Sequence, residues 1–354
     1  MCSKPMIPHS RLTLNEKGFI TSSLEILKSG QIAQGEKVAE FEKRLANFIG
    51  VKGGVATNSG TSALHLALLT LGIKEGDEVI IPSYVCSAPL NAINYVGATP
   101  VLVDINPSSF NLDVKKLITC ITKKTKAIIA PHLFGLPADM DEILSVGVPV
   151  IENGTQALGA VYKGKKVGSL GLLSVFSFYA TKVITTAEGG MVLSSSEELL
   201  EKVRDLRDYD KKWNYKVRYN YKMTDLQAAL GISQLESLPL FLKKRKDIAL
   251  QYFRWLRKLP MVLPIQPRDR NHIFYRYVVQ IEGNLNRYIE LLQKEGVFCE
   301  RPVYRPLHHY LGLDNFPETD KVWNTALSIP IYPSLKEPEV QRVIEAVKNV
   351  TLIV

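Results

Sequence analysis

Short runs of β-branched and aliphatic residues alternate with amphipathic stretches from about residue 50 to residue 195. This alternation is typical of strand–helix–strand crossover units and predicts a mostly parallel sheet. The predicted strands are 77–81, 99–103, 127–130, 149–152, 174–178 and 190–193. Helices are predicted at 62–71, capped by Thr61, and at 88–96. Such a sheet gathers its ligand site at the carboxyl ends of its strands.

The pattern changes after a helical stretch at 224–238. Three prolines then precede an aromatic and β-branched run at 274–279, and an amphipathic helix at 337–347 closes the pattern. We therefore predict a large domain at residues 1–238, which includes an N-terminal arm and would hold the ligand site. A smaller α+β domain should occupy residues 239–354.

Composition narrows the possible partners. The 354 residues are 46% hydrophobic, enough for one large core and a smaller one. The net charge is +9, but 44 basic residues are interleaved with 35 acidic ones, and clusters such as 243–245 lack interleaved aromatic residues. We expect no nucleic acid partner, and instead a solvated basic surface that attracts a small anionic substrate.

Targeting and cysteine usage predict a cytoplasmic protein. No apolar run is long enough to cross a bilayer, and the first residues lack the apolar centre of a secretion signal. Cys2, Cys86, Cys120 and Cys299 lack the short paired spacings of disulfide frameworks and metal sites. We therefore predict reduced thiols, no membrane partner and no metal.

Two segments carry candidate chemistry for an anionic group. Residues 57–65 form a small polar turn that leads into a helix, whose free N–H groups suit a phosphate, although an ordinary helix cap explains the turn equally well. Lys182 leaves a buried strand and enters a hydroxyl-rich loop, where partial desolvation would lower its pKa and favour the neutral amine that forms imines. Ser177 could donate a hydroxyl to the same phosphate. A solvated loop lysine is the alternative.

The third segment, 150–156, is a buried strand that ends in polar residues. Because side chains alternate along a strand, Glu152 and Asn153 should face opposite ways, and only one can meet a ring in the site. An asparagine that satisfies local backbone groups is the alternative for Asn153.

Taken in order, these segments and several others resemble the DegT family of fold type I pyridoxal phosphate enzymes, the nucleotide-sugar aminotransferases. The resemblance covers nearly the whole chain, in the stretches 29–42, 59–64, 131–135 with 139–140, 156–160, 177–190, 219–224 and 329–333. It implies an aminotransferase-like large domain with a mostly parallel central sheet and a smaller C-terminal α+β domain. It also implies pyridoxal 5'-phosphate, which becomes pyridoxamine 5'-phosphate in the half-reaction.

The resemblance assigns roles to individual residues. Lys182 matches the lysine that bonds to the cofactor and then shuttles a proton. Gly60, Thr61 and Ser177 match groups that hold the cofactor phosphate, and Gln156 matches the glutamine beside the cofactor ring.

The resemblance also implies partners. Asn220 matches an asparagine that reaches the phosphate from the neighbouring subunit, which implies a homodimer. Glutamate or glutamine should donate the amino group, and a nucleotide-linked 3- or 4-keto sugar should receive it, in polysaccharide or secondary-metabolite biosynthesis. We predict substrate contacts for His308 and Tyr304. His65, His132, His308 and His309 each lack a second ligand at metal-site spacing, so core packing or substrate hydrogen bonding is expected of them.

Two positions depart from the family pattern. Asn153 stands where the family has an aspartate that pairs with the pyridine nitrogen. Cys86 stands where the family has an aromatic residue over the ring, so Tyr84 could stack there instead, or the thiol could cover that face; a small buried residue is the expected role of Cys86. One alternative function is a pyridoxal phosphate-dependent sugar dehydratase, although the resemblance implies that such enzymes lack the lysine that this chain retains. The other is a catalytically idle, regulatory relative, which Asn153 keeps open.

Overall fold

A computed structural model describes residues 5–353. The strands, in chain order, are β1 (Gly53–Thr57), β2 (Glu78–Pro82), β3 (Thr99–Val103), β4 (Thr125–Pro131), β5 (Val150–Asn153), β6 (Val161–Tyr162), β7 (Lys165–Lys166), β8 (Leu173–Ser177), β9 (Gly190–Ser194), β10 (Met261–Val262), β11 (Tyr277–Ile281) and β12 (Ala326–Ile329).

The α-helices, in chain order, are α1 (Glu16–Ser29), α2 (Glu36–Ile49), α3 (Gly60–Thr70), α4 (Ala88–Tyr95), α5 (Val114–Cys120), α6 (Met140–Ser145), α7 (Glu197–Arg207), α8 (Asp225–Leu256), α9 (Leu285–Lys294), α10 (Leu307–Leu311), α11 (Pro317–Thr325) and α12 (Glu337–Thr351). Within residues 5–353, none of them combines the length and the apolar character that a bilayer crossing needs.

Seven strands form the central sheet, in the order β1-β9-β8-β5-β4-β2-β3. The pairs β8–β5, β5–β4, β4–β2 and β2–β3 are parallel, whereas β9 runs antiparallel to both of its neighbours. Helices pack on both faces of the buried strands, as crossover connections require. The predicted mostly parallel α/β sheet is therefore confirmed.

The predicted strands all appear, with ends that differ by at most a few residues. Sequence analysis did not identify β1, a short strand rich in glycine and alanine. The cap of α3 also differs from the prediction. Ser59, rather than Thr61, caps this helix, because its extended backbone lets the Ser59 side chain accept a hydrogen bond from the Ser62 N–H.

The predicted α+β character of the C-terminal part is confirmed by a small antiparallel sheet in the order β10-β11-β12. The helices α9 and α12 and the end of α8 cover it and share one apolar core. The N-terminal arm joins this core. Ile7 is buried and pairs with Val297, and the His9 Nε2 atom lies 2.8 Å from the Ser328 Oγ atom. The arm thus packs on the smaller sheet.

The helix α8 runs without interruption through residue 238, the position predicted to end the large domain, and contains Pro239. Its first part, up to Phe241, packs in the core beneath the central sheet, and its second part, from Ile248, packs in the core of the small sheet. One continuous apolar face of α8 packs in both cores, so the helix passes from one core to the other without ending. The division into two domains stays a prediction.

A buried carboxylate fixes the middle of the central sheet. Glu152 on β5 has no exposed surface, and it accepts hydrogen bonds from the N–H groups of Gly168, Leu170 and Gly171. Its Oε2 atom also lies 3.2 Å from the Nε2 atom of His132. The Glu152 side chain therefore has a structural role on its face of β5. Asn153, the next residue, lies on the opposite face.

We predict that Glu152→Ala lowers the free energy of unfolding by about 3 kcal/mol or more, because three largely buried N–H groups lose their acceptor. Glu152→Gln should cost less, since its amide oxygen still accepts hydrogen bonds. Urea unfolding followed by circular dichroism measures both changes. Exposed Glu142→Ala serves as the control, and equal stability of Glu152→Ala and this control would refute the prediction.

Candidate active site

Five residues meet where the strand ends of the central sheet approach the start of α3. Gly190 on β9 pairs with Thr57 on one side and Ser177 on the other. A Cβ atom added at Gly190 would lie 2.3 Å from the Ser59 carbonyl oxygen, and one added at Gly60 would lie 2.6 Å from the Ser177 Cβ atom. Only glycines allow this close approach, so Gly60 and Ser177 are held side by side.

This contact brings hydrogen-bond donors together. Gly60 and Thr61 are the first two residues of α3, so their N–H groups have no partner within the helix. The Ser177 hydroxyl lies beside them, and the positive end of the helix dipole adds a favourable potential for an anion. We find in this arrangement the features of a phosphate-binding turn.

Lys182 is half-buried on a closed loop that follows β8. The loop is fixed by backbone bonds from Phe178 N to Gly189 O and from Thr186 N to Phe178 O. The Lys182 Nζ atom lies 5.6 Å from the centre of the Tyr275 ring. The lysine is therefore held at the carboxyl edge of the sheet, where a ligand of this fold binds.

A cavity of about 150 Å³ beside Lys182 is rich in cationic groups. Its lining includes Lys182, Tyr275, Arg245 and Arg276, and neither Arg245 nor Arg276 has a carboxylate within 4 Å among residues 5–353, whereas Arg11 in the same lining lies 3.6 Å from Glu339. Burial alone would raise the pKa of the Tyr275 phenol, but the positive charges of Lys182 and Arg276 outweigh this effect and lower the pKa to about 8. The cavity thus favours negative charge.

Sequence analysis missed these neighbours of Lys182. Arg245 was assigned to a solvated basic cluster, whereas the structure buries it, and burial lowers its pKa to about 10. Its Nη1 atom donates to the carbonyls of Phe274, Tyr275 and Ile331, which makes burial possible. The only signal in the sequence was the helical spacing that places Arg245 on the apolar face of α8.

Asn153, the last residue of β5, and Gln156, three residues later, extend the site. Asn153 is half-buried, and its Oδ1 atom accepts a hydrogen bond from the Thr155 N–H at 3.3 Å. The oxygen is thereby engaged by the backbone, and the Nδ2 group remains as a donor. Gln156 accepts a hydrogen bond from the Phe134 N–H through its Oε1 atom, which orients its side chain.

The structure corrects the expectations for Tyr84 and Cys86. Tyr84 has no exposed surface and packs with Phe110 and Phe134, so its ring cannot stack on a ligand. Cys86, expected to be buried, is exposed after the end of β2. Tyr84 is turned inward because the core beneath this loop is aromatic, and the thiol is left at the edge of the sheet.

Asn220 lies close to the start of α3 of its own chain. Its carbonyl accepts a hydrogen bond from the Asn58 Nδ2 group, and the Asn58 N–H donates to the Tyr221 carbonyl. The Asn220 side chain is exposed. The backbone of this segment is therefore anchored near the phosphate-binding turn while the side chain points outward.

The two predicted substrate residues lie in different surroundings. His308 is buried and contacts the Ser83 Oγ atom at 2.6 Å through Nδ1 and Asp320 at 3.1 Å through Nε2. Burial lowers the pKa of His308. Tyr304, by contrast, is 87% exposed.

Contrary to the spacing argument, His308, His309 and Asp320 bring three ligand-type atoms within 4.8 Å of one another, but each histidine hydrogen-bonds Asp320.

His65 and His132 have structural roles, as expected. His65 packs among tyrosines and contacts the Tyr221 hydroxyl, and His132 bridges Glu152 and the Ala138 N–H. Cys86, Cys120 and Cys299 are free thiols, and Cys2 lies outside the described residues.

A phosphate-binding turn, a lysine at the sheet edge and an amide donor on the neighbouring strand fit the phosphate, aldehyde and ring nitrogen of pyridoxal phosphate. The fold and these groups define an α/β enzyme of the pyridoxal phosphate class.

Comparisons with known proteins agree with this assignment to the pyridoxal phosphate enzymes. The sequence profile of the DegT/DnrJ/EryC1/StrS aminotransferase family matches residues 15–348. GDP-perosamine synthase of Caulobacter vibrioides is 39% identical over 96% of each chain. The spore coat polysaccharide biosynthesis protein SpsC of Bacillus subtilis is 37% identical over 97% of each chain. Spr1654 of Streptococcus pneumoniae, a candidate sugar aminotransferase solved in its PMP form, has a TM-score of 0.93 at 31% identity over 98% of each chain.

The chain therefore belongs to the DegT/DnrJ/EryC1/StrS aminotransferase family. It is an aminotransferase, and pyridoxal 5'-phosphate is its cofactor.

We predict that Gly190→Ala weakens cofactor binding by about tenfold or more. The new methyl group would displace Ser59 and the first turn of α3, and overpacking of this kind typically costs about 1–3 kcal/mol. Titration with pyridoxal phosphate, followed by visible absorbance, gives the affinity. Gly18→Ala is the control, because its added Cβ would meet only side-chain atoms at 3.2 Å and 3.3 Å. Unchanged affinity in Gly190→Ala would contradict the role of the close contact.

Proposed function

We propose that this enzyme transfers an amino group from glutamate or glutamine to a nucleotide-linked 3- or 4-keto sugar. The arrangement of Lys182 beside the phosphate-binding turn carries the proposal. The relative from Caulobacter vibrioides, named GDP-perosamine synthase, supports a nucleotide-sugar substrate, and the relative from Bacillus subtilis, named for spore coat polysaccharide biosynthesis, supports a polysaccharide pathway.

Bound pyridoxal phosphate supplies an aldehyde that accepts and passes on the amino group and a ring that withdraws electrons. In the proposed mechanism, Gly60, Thr61 and Ser177 hold its phosphate, and Gln156 lies beside its ring. Lys182 would hold the cofactor through its Nζ atom, and the same atom would move a proton to or from the substrate carbon. The cationic groups around Tyr275 attract the carboxylate of the amino donor to the same cleft.

Asn153 decides how far the ring can withdraw electrons. Its free Nδ2 group can donate a hydrogen bond to an unprotonated ring nitrogen, but it supplies no negative charge to keep that nitrogen protonated. Cys86 is exposed, and we propose that its thiol covers one face of the cofactor ring. Both residues are compatible with cofactor binding, and Asn153 limits the rate.

We further propose a homodimer in which Asn220 reaches the cofactor phosphate of the neighbouring subunit. The exposed Asn220 side chain supports this arrangement, as do the exposed aromatic rings of Trp213 and Tyr215 just before it, which are 106% and 95% exposed. The helix α1 also exposes Ile20 and Leu27. Exposed apolar groups of this kind are usually covered in an assembly.

We propose a cytoplasmic location. The free thiols support it, above all that of exposed Cys86, since an oxidising compartment tends to convert such thiols.

The cofactor bond provides the first test of the proposed function. We predict that pyridoxal phosphate gives a visible absorption band with the purified protein, and that hydride reduction leaves a stable adduct on Lys182. Lys182→Ala should lose the band, and Lys202→Ala, which removes an exposed lysine paired with Glu198, should keep it. The loaded enzyme is then incubated with glutamate and a panel of nucleotide keto sugars, with mass detection of the amine. An adduct on another lysine contradicts the site, and full loading without any aminated product contradicts the reaction.

The asparagine provides a second test. We predict that Asn153→Asp leaves the Lys182 adduct in place but speeds the half-reaction with glutamate by about 10- to 1,000-fold, because a carboxylate stabilises a protonated ring nitrogen as negative charge develops on the substrate carbon. Single-turnover absorbance measures this rate. Asn94→Asp places the same charge on an exposed position of α4 and should leave the rate unchanged. An Asn153→Asp enzyme that is no faster would mean that another group protonates the nitrogen or that protonation is not needed.

A further inference from the structure

The N-terminal arm forms part of the wall of the cavity beside Lys182. Residues 9–13 line this cavity together with Lys182, Tyr275 and Arg276. The Lys182 Nζ atom lies 5.6 Å from the centre of the Tyr275 ring, and the Arg276 Cζ atom lies 5.5 Å from the same centre. A small molecule that reacts at Lys182 can therefore also contact the Arg276 guanidinium.

Arg276 keeps one edge of its guanidinium free. Its Nη1 atom donates a hydrogen bond to His9, and among residues 5–353 its Nε and Nη2 atoms have no acceptor. The carboxylate of Glu300 contacts His9 at 3.1 Å and does not pair with the guanidinium. The free edge of an arginine has the geometry that binds both oxygens of one carboxylate.

His9 holds this guanidinium in position. Its Nε2 atom lies 2.8 Å from the Arg276 Nη1 atom and 2.8 Å from the Ser328 Oγ atom, and its Nδ1 atom lies 3.1 Å from the Glu300 Oε2 atom. These contacts fit a neutral ring that donates through Nδ1 to Glu300 and accepts from Arg276. Burial and the charge of Arg276 lower the pKa of His9 despite its contact with Glu300, so the ring adds no further positive charge.

Two buried polar atoms of the same cavity have no hydrogen-bond partner within the described residues. They are the Nε atom of Arg245 and the phenolic oxygen of Tyr332. Arg245 and Tyr332 are only 5% and 1% exposed, and buried polar groups of this kind normally pair with another group. Together with Arg276, they supply hydrogen-bond donors and positive charge for an anionic ligand.

The number of positive charges distinguishes the two candidate amino donors. Arg245 and Arg276 bring two guanidinium groups to the cavity. Glutamate carries two carboxylates, whereas glutamine carries one carboxylate and a neutral amide, which would desolvate a guanidinium without supplying a counter-charge. Because the α-carboxylate is bonded to the carbon that reacts at Lys182, the side-chain carboxylate is the group that can extend to Arg276.

We propose that Arg276, positioned by His9 of the N-terminal arm, binds the side-chain carboxylate of the amino donor and makes the enzyme use glutamate in preference to glutamine. The inference rests on the proposed function, in which one of these amino acids supplies the amino group. It extends that function by assigning the choice of donor to one guanidinium and to the arm that holds it.

The half-reaction with each amino acid tests the role of Arg276, because the cofactor absorbance reports it without any sugar. The unchanged enzyme should react faster with glutamate than with glutamine at equal concentrations below saturation. Arg276→Gln should lower the second-order rate constant for glutamate by about 10- to 100-fold, the usual loss for hydrogen bonds to a charged group. The constant for glutamine should fall much less. Arg276→Lys keeps the charge but loses the two-point geometry, so its effect should be intermediate.

A positioning role for His9 predicts a smaller effect on glutamate. His9→Ala should raise the half-saturating glutamate concentration by about 3- to 10-fold, the net contribution of one hydrogen bond, and leave the maximal rate of the half-reaction unchanged. His9→Gln, whose amide oxygen can still accept from Arg276, should restore most of the affinity. If His9 only anchors the arm, His9→Ala will lower thermal stability without changing the ratio of glutamate to glutamine rates.

Binding of a ligand that cannot react gives a readout independent of catalysis. Calorimetry of the cofactor-loaded enzyme compares glutarate with its monoamide, and glutarate should bind more tightly. Arg276→Gln should remove this difference. Arg287→Gln is the matched control, because it removes an exposed guanidinium on α9 that pairs with Glu290 outside the cavity, and it should change neither binding nor rates. The visible cofactor band and a thermal melt accompany each variant.

The outcomes separate this inference from the proposed reaction. The assignment of Arg276 is wrong if its substitution slows glutamate and glutamine equally, if glutamine is the better donor, or if glutarate binds no better than its monoamide, even when a keto sugar is aminated. If the preference for glutamate depends on Arg276 but no keto sugar accepts the amino group, the assignment stands and the proposed reaction fails. If neither amino acid reacts, the comparison of glutarate with its monoamide decides the assignment.

Discussion

The hydrogen bonds of the Glu152 carboxylate are the constraint on which the site depends. Glu152 lies on β5, between β4 and β8, and its oxygens hold the segment 168–171 together with His132. A slip of one residue along β5 would move this carboxylate to the other face and leave those donors unsatisfied. The register of β5 is fixed for that reason, and with it the outward position of Asn153.

Close packing also determines the shape of the phosphate-binding turn. Gly60 and Gly190 have no side chains, so the first turn of α3 can press against the ends of β8 and β9. The first N–H groups of α3 have no partner within the helix, so a bound anion would accept their hydrogen bonds. Structure and ligand binding are therefore two aspects of one arrangement.

Unpaired positive charge recurs across the site. Arg245 and Arg276, which line the cavity beside Lys182, have no carboxylate partners within residues 5–353. Elsewhere, arginines such as Arg207 and Arg270 are paired with carboxylates. The cavity beside Lys182 therefore holds guanidinium groups that no carboxylate neutralises, which suits an anionic ligand.

The sequence by itself determined the parts of this protein that follow from local periodicity and local chemistry. Alternating apolar runs predicted the strands of the central sheet, and the opposite orientations of Glu152 and Asn153 followed from strand geometry. Only the tertiary structure decided which face a side chain shares with distant residues. It turned Tyr84 into an aromatic core, buried Arg245 against three carbonyl groups, exposed Cys86 and carried α8 through the expected boundary. These outcomes depend on partners far away in the chain, and a pattern of neighbouring residues does not encode which distant groups will satisfy a buried charge or cover an aromatic ring.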